Sequence, residues 1–198
     1  MTDLLKLERE HWDQGQLVAG VDETGRGALA GPMLAAAVIL PLGFKTNGIR
    51  DSKKMDQSQR EAVYPRILAE AIAISVAWIS AAEIDAADGR REYDKCHVDL
   101  LQRTVLALSP QPHHVLVDFL EVDLPMAQGS IERGESVSAS IAAASIVAKV
   151  TRDRMMADLG RYLEPWALAT NKGYGTDQQT LVRTHGASVI HRRSSRRR

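Results

Sequence analysis

Apolar and polar positions along the chain fall into two alternating patterns. Residues 17–21, Leu-Val-Ala-Gly-Val, form an unbroken apolar run that ends on Asp22, and residues 33–40 form a second. Unbroken runs of this length predict strands buried on both faces, here joined by a Gly/Pro-containing connection. Asp56 and Ser58 offer N-caps for a helix carrying Ala62, Val63, Ile67 and Leu68 on one side, with Pro65 expected to weaken or kink it. Ile72, Ile74, Val76 and Trp78 alternate and predict a strand over residues 71–80. Ser80 and Glu83 have capping-box spacing for a short helix, and apolar residues at helical spacing from Tyr93 through His97, Leu100, Leu101 and Leu108 predict a longer one. Val115-Leu116-Val117 then delivers Asp118 as the first run delivers Asp22. Ser138 or Ser140 is placed to cap an Ala/Ser-rich helix running toward Asp158, whose small side chains permit close packing. A turn over residues 171–175 and a capping-box pattern at Thr176 to Gln179 predict a last helix ending near Gly186.

Strands interleaved with helices predict an α/β fold, a sheet covered by helices. In such folds sites collect beyond the carboxyl ends of strands, where Asp22 and Asp118 both stand. The 198 residues predict one domain, or one domain with an appendage. No apolar run approaches membrane-spanning length. Cys96 is the only cysteine, so a reducing compartment, the cytoplasm, is expected. The balanced net charge hides an asymmetry: residues 191–198 hold five of the 25 basic residues, leaving 20 against 25 acidic ones elsewhere. Such a tail reads either as an arm for phosphates or as a solvated terminus.

The most informative segment is Asp22-Glu23-Thr24-Gly25-Arg26-Gly27. Neighbouring side chains of a strand point to opposite faces, so both carboxylates reach one site only if the strand breaks there, which the glycines make easy. A negative pocket beside exposed backbone and a guanidinium suits divalent cations next to a phosphodiester. Mg²⁺ uses one or two carboxylates with water and substrate phosphate, and paired ions can assist both the attacking and the departing oxygen. No Cys/His set has zinc spacing, no glycine-rich loop ends in Gly-Lys-Ser/Thr, and no Gly-x-Ser-x-Gly elbow is present. Zinc hydrolysis, P-loop chemistry and serine hydrolysis are thereby disfavoured.

Residues 20–27 together with Ala30-Gly31-Pro32 resemble the signature of type 2 ribonuclease H, ribonuclease HII. Asp51-Ser52-Lys53-Lys54 resembles that family's phosphate-side loop, residues 115–118 its second acidic strand, residues 140–153 its signature helix, and residues 172–176 and 191–194 its C-terminal blocks. The resemblance implies a ribonuclease-H-like mixed sheet flanked by helices, a catalytic domain over 1–160, with a helical C-terminal appendage over 161–198. It implies a monomeric enzyme that uses Mg²⁺ or Mn²⁺. The implied activity is cleavage of the RNA strand of RNA–DNA hybrids and incision 5′ of single ribonucleotides in duplex DNA, leaving 3′-hydroxyl and 5′-phosphate ends. Asp22, Glu23 and Asp118 fall on the family's metal-binding carboxylates. Gly25, Arg26 and Gly27 fall on the loop that reads the ribose 2′-hydroxyl, the group that distinguishes RNA from DNA at one position. Tyr174 falls on the tyrosine that stacks on the sugar past the junction.

Two departures stand out. The family usually has Asp where Glu135 stands, one methylene longer, and Glu135 is expected still to bind or orient a metal. Bacterial members often have Gly-Asn where Phe119-Leu120 follow Asp118. Lys53 and Lys54 are expected to meet phosphates, as are Lys149 and Arg152, three apart on their helix; each is otherwise a solvated surface base. His97 reads as a packed helix histidine, His113 and His114 as edge residues, and Trp12, Trp78 and Trp166 as buried or half-buried anchors. Residues 88–97, charged and irregular, match the family poorly. Two other functions stay open: a metal-dependent nuclease or phosphatase of different specificity, and a catalytically weak hybrid-binding protein.

Overall fold

A computed structural model gives residues 3–87 and 89–193. Five strands, β1 (Val18–Thr24), β2 (Met33–Ile39), β3 (Ala73–Ile79), β4 (His114–Asp118) and β5 (Ala127–Ile131), form one sheet in the order β3-β2-β1-β4-β5. The first three strands pair antiparallel, while β4 and β5 run parallel to β1. β2 is buried along its whole length because both faces of the sheet are covered. Leu34, Ala36 and Val38 face α2 (Gln57–Glu70) and α5 (Ala139–Gly160). Met33, Ala35, Ala37 and Ile39 face α3 (Ala81–Ala86) and α4 (Gly89–Leu106). The α/β class and the mixed, helix-flanked sheet expected from the sequence are therefore present.

α5 is the central helix. Ser138 caps it by accepting from the Ile141 amide at 3.2 Å, and about 33 Å of helix follows. Its Ala/Ser face lies directly on β1, and Gly20 makes the approach possible: a Cβ there would stand 2.2 Å from the Ile141 nitrogen. Glu8 of α1 (Lys6–Trp12) is fully buried against the helix start, accepting from Ser138 Oγ at 2.6 Å and the Ser140 amide at 2.9 Å. A carboxylate at this end also meets the positive pole of the helix.

Local signals behaved unevenly. Asp56 and Ser80 both form full capping boxes, and α2 continues through Pro65 to Glu70. The box expected at Thr176 does not form: α7 (Gly175–His185) starts one residue earlier, after Tyr174, with no side-chain cap. The edge strand β5 carries no sequence signal, and the helix expected from near residue 92 is α4, which begins at Gly89, so the charged stretch before Tyr93 is helical too. Trp78 is 54% exposed on the outer strand rather than an anchor, whereas Trp12 is buried in the α5-side core. Past α5, α6 (Leu168–Asn171) and α7 lead to a segment that returns to the β1–β2 connection, where Ala30 and His191 pair.

Candidate active site

β1 does not break at the two acids. It pairs regularly with β2 through Asp22, Glu23 and Thr24, so the expected interruption is absent and the carboxylates leave on opposite faces. They still approach one region because β4 pairs with β1 only as far as Val21↔Val117, so the sheet splits at the acids. Asp22 and Asp118 stand at successive positions on neighbouring strands, both toward α5. Glu135 joins them from the short 3₁₀ turn Gly134–Ser136 that precedes α5. The side chain of Glu135 is buried, with Oε2 accepting from the Ser52 amide at 2.8 Å and Oε1 lying 2.9 Å from Lys53 Nζ. Asp118 Oδ1 accepts from the Gly134 amide at 2.8 Å, which ties the end of β4 to the same turn.

The electrostatics follow from this proximity. Burial, reinforced by Glu23, Glu135 and Asp118, holds the Asp22 carboxyl well above its ordinary value against a Ser145 hydrogen bond. Burial also raises Asp118, against the Gly134 amide and Lys53. For Glu135 burial resists ionisation, but hydrogen bonds from Ser52, Lys53 and Ser145 prevail and lower its pKa. Glu23 is likewise lowered: burial is outweighed by His97, whose Nε2 is 3.2 Å from Glu23 Oε2, and by the charge of Arg26. Ser52, Ser145 and His97 are thus functional neighbours that sequence reading missed as such. The serines looked like loop and helix filler, and His97 is indeed packed, as expected, but against a site acid.

Lys53 and Lys54 flank this ensemble. Their side chains are largely exposed and lie with Asp51, Asp118, Arg133 and Glu135 around a cleft of about 620 Å³. Lys54 Nζ is 3.2 Å from Asp51 Oδ2, and the Asp51 carboxylate also accepts from Ser136 Oγ at 3.1 Å. Lys149 is half-buried on α5, one turn past Ser145 on the same side.

On the other side of the acids lies the Gly25-Arg26-Gly27 loop. Gly25 has a φ of 84°, and a Cβ there would lie 2.6 Å from the Pro32 carbonyl, so only glycine fits. Two buried arginines brace this connection. Arg152 donates to the carbonyls of Pro32 (2.9 Å), Ala30 (3.0 Å) and Lys172 (3.0 Å), and is therefore no phosphate ligand, contrary to expectation. Arg192 donates to Gly31 O at 2.9 Å and Gly25 O at 2.6 Å; burial and the Arg152 charge lower its pKa to about 10. His191 and Arg192 are built into the fold and are not part of a free basic arm, while residues 194–198 of that arm lie outside the described residues. The Tyr174 ring sits 4.9 Å from the Arg152 guanidinium, half-exposed beside the loop. Arg26 is partly exposed, its Nη2 3.1 Å from Asp94 Oδ1.

The donor set is that of a hard cation. Four carboxylates from β1, β4 and the turn before α5 repel one another around Lys53, whose Nζ is 2.9 Å from Glu135 Oε1, and every candidate ligand is oxygen. Among the described residues no three His, Cys, Asp or Glu side chains close into a tight cage. An ion such as Mg²⁺, which keeps waters and takes few carboxylates directly, does not need one. The residues present fit such a group.

The sheet order, the central helix and acids at the split strand ends define a ribonuclease-H-like fold. A ribonuclease H2 structure from Pyrococcus horikoshii OT3 shares it, with a TM-score of 0.76 at 23% identity, covering 91% of this chain and 96% of that one. So does Bst-RNase HIII in complex with Mn²⁺, with a TM-score of 0.66 at 21% identity over 86% of this chain and 63% of that one. The Ribonuclease HII family model matches residues 19–195. Ribonuclease HII of Geobacillus kaustophilus is 44% identical over 194 residues, 97% of this chain and 73% of that protein. The chain belongs to the ribonuclease HII family, and is a ribonuclease H endonuclease.

Proposed function

We propose that the chain, acting as a monomer, hydrolyses the RNA strand of RNA–DNA hybrids and incises 5′ of single ribonucleotides in duplex DNA, as in ribonucleotide excision repair. The observation that carries this is the junction of two features: Asp22, Asp118 and Glu135 meet on one face of the split strand ends with Glu23 beside them, and the braced Gly25–Gly27 backbone adjoins them. A lone cysteine suits the reducing cytoplasm.

Asp22, Glu23, Asp118 and Glu135 would hold Mg²⁺ or Mn²⁺, and the Mn²⁺ in the related HIII structure is in keeping with this. When bound, the metal supplies Lewis-acid charge for hydrolytic displacement at phosphorus, with a 3′-hydroxyl leaving and a 5′-phosphate remaining. Lys53, Lys54 and Lys149 would attract and seat the backbone phosphates. Gly25, Arg26 and Gly27 would present backbone groups to the ribose 2′-hydroxyl, and Tyr174 would offer its ring to the sugar beyond the junction. Residues 161–198 would then serve as a substrate-contacting appendage to a catalytic domain over 1–160.

The test compares an RNA–DNA hybrid, a DNA duplex containing one ribonucleotide and an all-DNA duplex, each with Mg²⁺ or Mn²⁺. Cutting of the first two alone is expected. Cutting of all three would mean a nuclease of other specificity. Binding of the hybrid without cutting, unchanged in Asp22→Asn, would mean a binding protein.

A further inference from the structure

The first half of α4 faces the site with three successive contacts. Tyr93 Oη donates to the Arg26 carbonyl, Asp94 Oδ1 receives Arg26 Nη2 at 3.1 Å, and His97 Nε2 lies 3.2 Å from Glu23 Oε2. Tyr93 and His97 are four apart and share a helix face, and both are buried, His97 to 1% exposure. The arrangement matters because of where Glu23 leaves β1. Ser145 lowers the pKa of both Asp22 and Glu135 from the α5 side, but Glu23 points to the other face of the sheet, away from it. On its own face the partner that meets it is His97, from a helix segment that also holds the next loop residue but two. One rigid element therefore sets both the fourth acid and the loop beside it.

We propose that the first half of α4 is a positioning element for this site, and that His97 is the positioning residue that fixes the Glu23 carboxylate for the cation. Nε2 approaches Oε2 to 3.2 Å without the alignment of a formed hydrogen bond, and among the described residues it has no hydrogen-bond partner of its own. A polar group this close to one oxygen of a ligating carboxylate restricts its rotation and leaves the second oxygen for the ion. The inference rests on the proposed function only in taking Glu23 as a cation ligand.

The experiment uses the full chain with His97→Met, which fills similar space without a donor, and His97→Gln, whose amide nitrogen reaches nearly as far as Nε2. Mn²⁺ binding to the protein alone is followed by electron paramagnetic resonance, and cleavage of a hybrid by steady-state kinetics. His97→Met should lower Mn²⁺ affinity and kcat by about 10–100-fold with little change in KM, and His97→Gln should recover most of the loss. The proposal is overturned if His97→Met matches the unsubstituted chain in both readouts, or if His97→Gln falls as far as His97→Met. If circular dichroism finds His97→Met unfolded, His97→Asn replaces it, a polar side chain too short to reach Glu23. Should the unsubstituted chain cut no hybrid at all, the proposed function fails, and the Mn²⁺ titration alone decides the role of His97.

Discussion

Replacing Gly20 by Ala adds a single methyl group to β1, and the structure says where it goes. The new Cβ would lie 2.2 Å from both the Ile141 nitrogen and the Ser140 carbonyl carbon, which are backbone atoms that no rotamer change can move. Ordinary contact begins at 3.4 Å, so α5 and β1 must separate by about 1.2 Å. Overpacking of a well-filled core costs about 1–3 kcal/mol, and a clash of backbone on backbone belongs at the top of that range. For a chain of this size about 3 kcal/mol lowers Tm by about 6–12 °C. The same shift moves Ser145 of α5 away from Asp22 of β1, and a misplacement of about 1 Å in a positioned site lowers rate about 10²-fold. Differential scanning calorimetry and hybrid cleavage below the variant's Tm read the two effects separately. A Tm within 2 °C of the unsubstituted chain's, or full activity, would refute the claim that this helix lies directly on the strand.

Three further outcomes are expected. Arg152→Met strips donors from the carbonyls of Ala30, Pro32 and Lys172, each worth about 1–3 kcal/mol when left buried and unsatisfied, so urea unfolding should find at least about 3 kcal/mol lost. A loss under 1 kcal/mol would mean that water replaces it. Asp22, with its folded pKa raised above the ordinary 3.8, adds stability below that value and loses it as pH rises through the folded pKa. In EDTA at neutral pH, Asp22→Asn should therefore melt higher than the unsubstituted chain while cutting nothing, and a lower Tm contradicts this. Phe119 is 70% exposed with a φ of 62°, a left-handed conformation that Asn adopts more readily, so Phe119→Asn should gain about 0.5–1 kcal/mol in urea unfolding, and any loss argues for a packing role.

Sequence and structure agree where short-range chemistry dominates. Val21-Asp22 and Val117-Asp118 were legible as apolar runs delivering acids, and the caps at Asp56, Ser80 and Ser138 were visible because an N-cap is satisfied within three residues. The likeness to a known family located Glu135 beside them, although nothing local marks that residue. What stayed hidden depends on distant partners. Arg152 and Arg192 read as surface bases, since buried guanidinium groups are rare; their acceptors are carbonyls of a loop about 120 and 160 residues earlier, which no periodicity reports. The edge strand β5, Ala-Gln-Gly-Ser-Ile, is half-exposed and lacks any apolar face to announce it. Glu23 was placed by supposing that the strand breaks, whereas it is the neighbour β4 that ends early.

That last difference changes how the site is built. With β1 unbroken, the acids are divided between the two layers of the protein: Asp22, Asp118 and Glu135 on the α5 side, Glu23 on the α4 side. Nothing in the sheet alone fixes one group relative to the other beyond the end of β1 itself. The chain answers with separate ties on each side. Ser145 and the Ser52 amide hold the first set, while His97 holds the second. The connection leaving β1 is fastened at Gly25, Gly31 and Pro32 by two arginines from α5 and the C-terminal segment, and at Arg26 by α4. Neutral carbonyls accept Arg152 and Arg192, so these two braces bring no carboxylate to the crowded set of four. The acid that the loop does meet, Asp94 of α4, is paired with Arg26 at 3.1 Å, so its charge is matched within the loop itself.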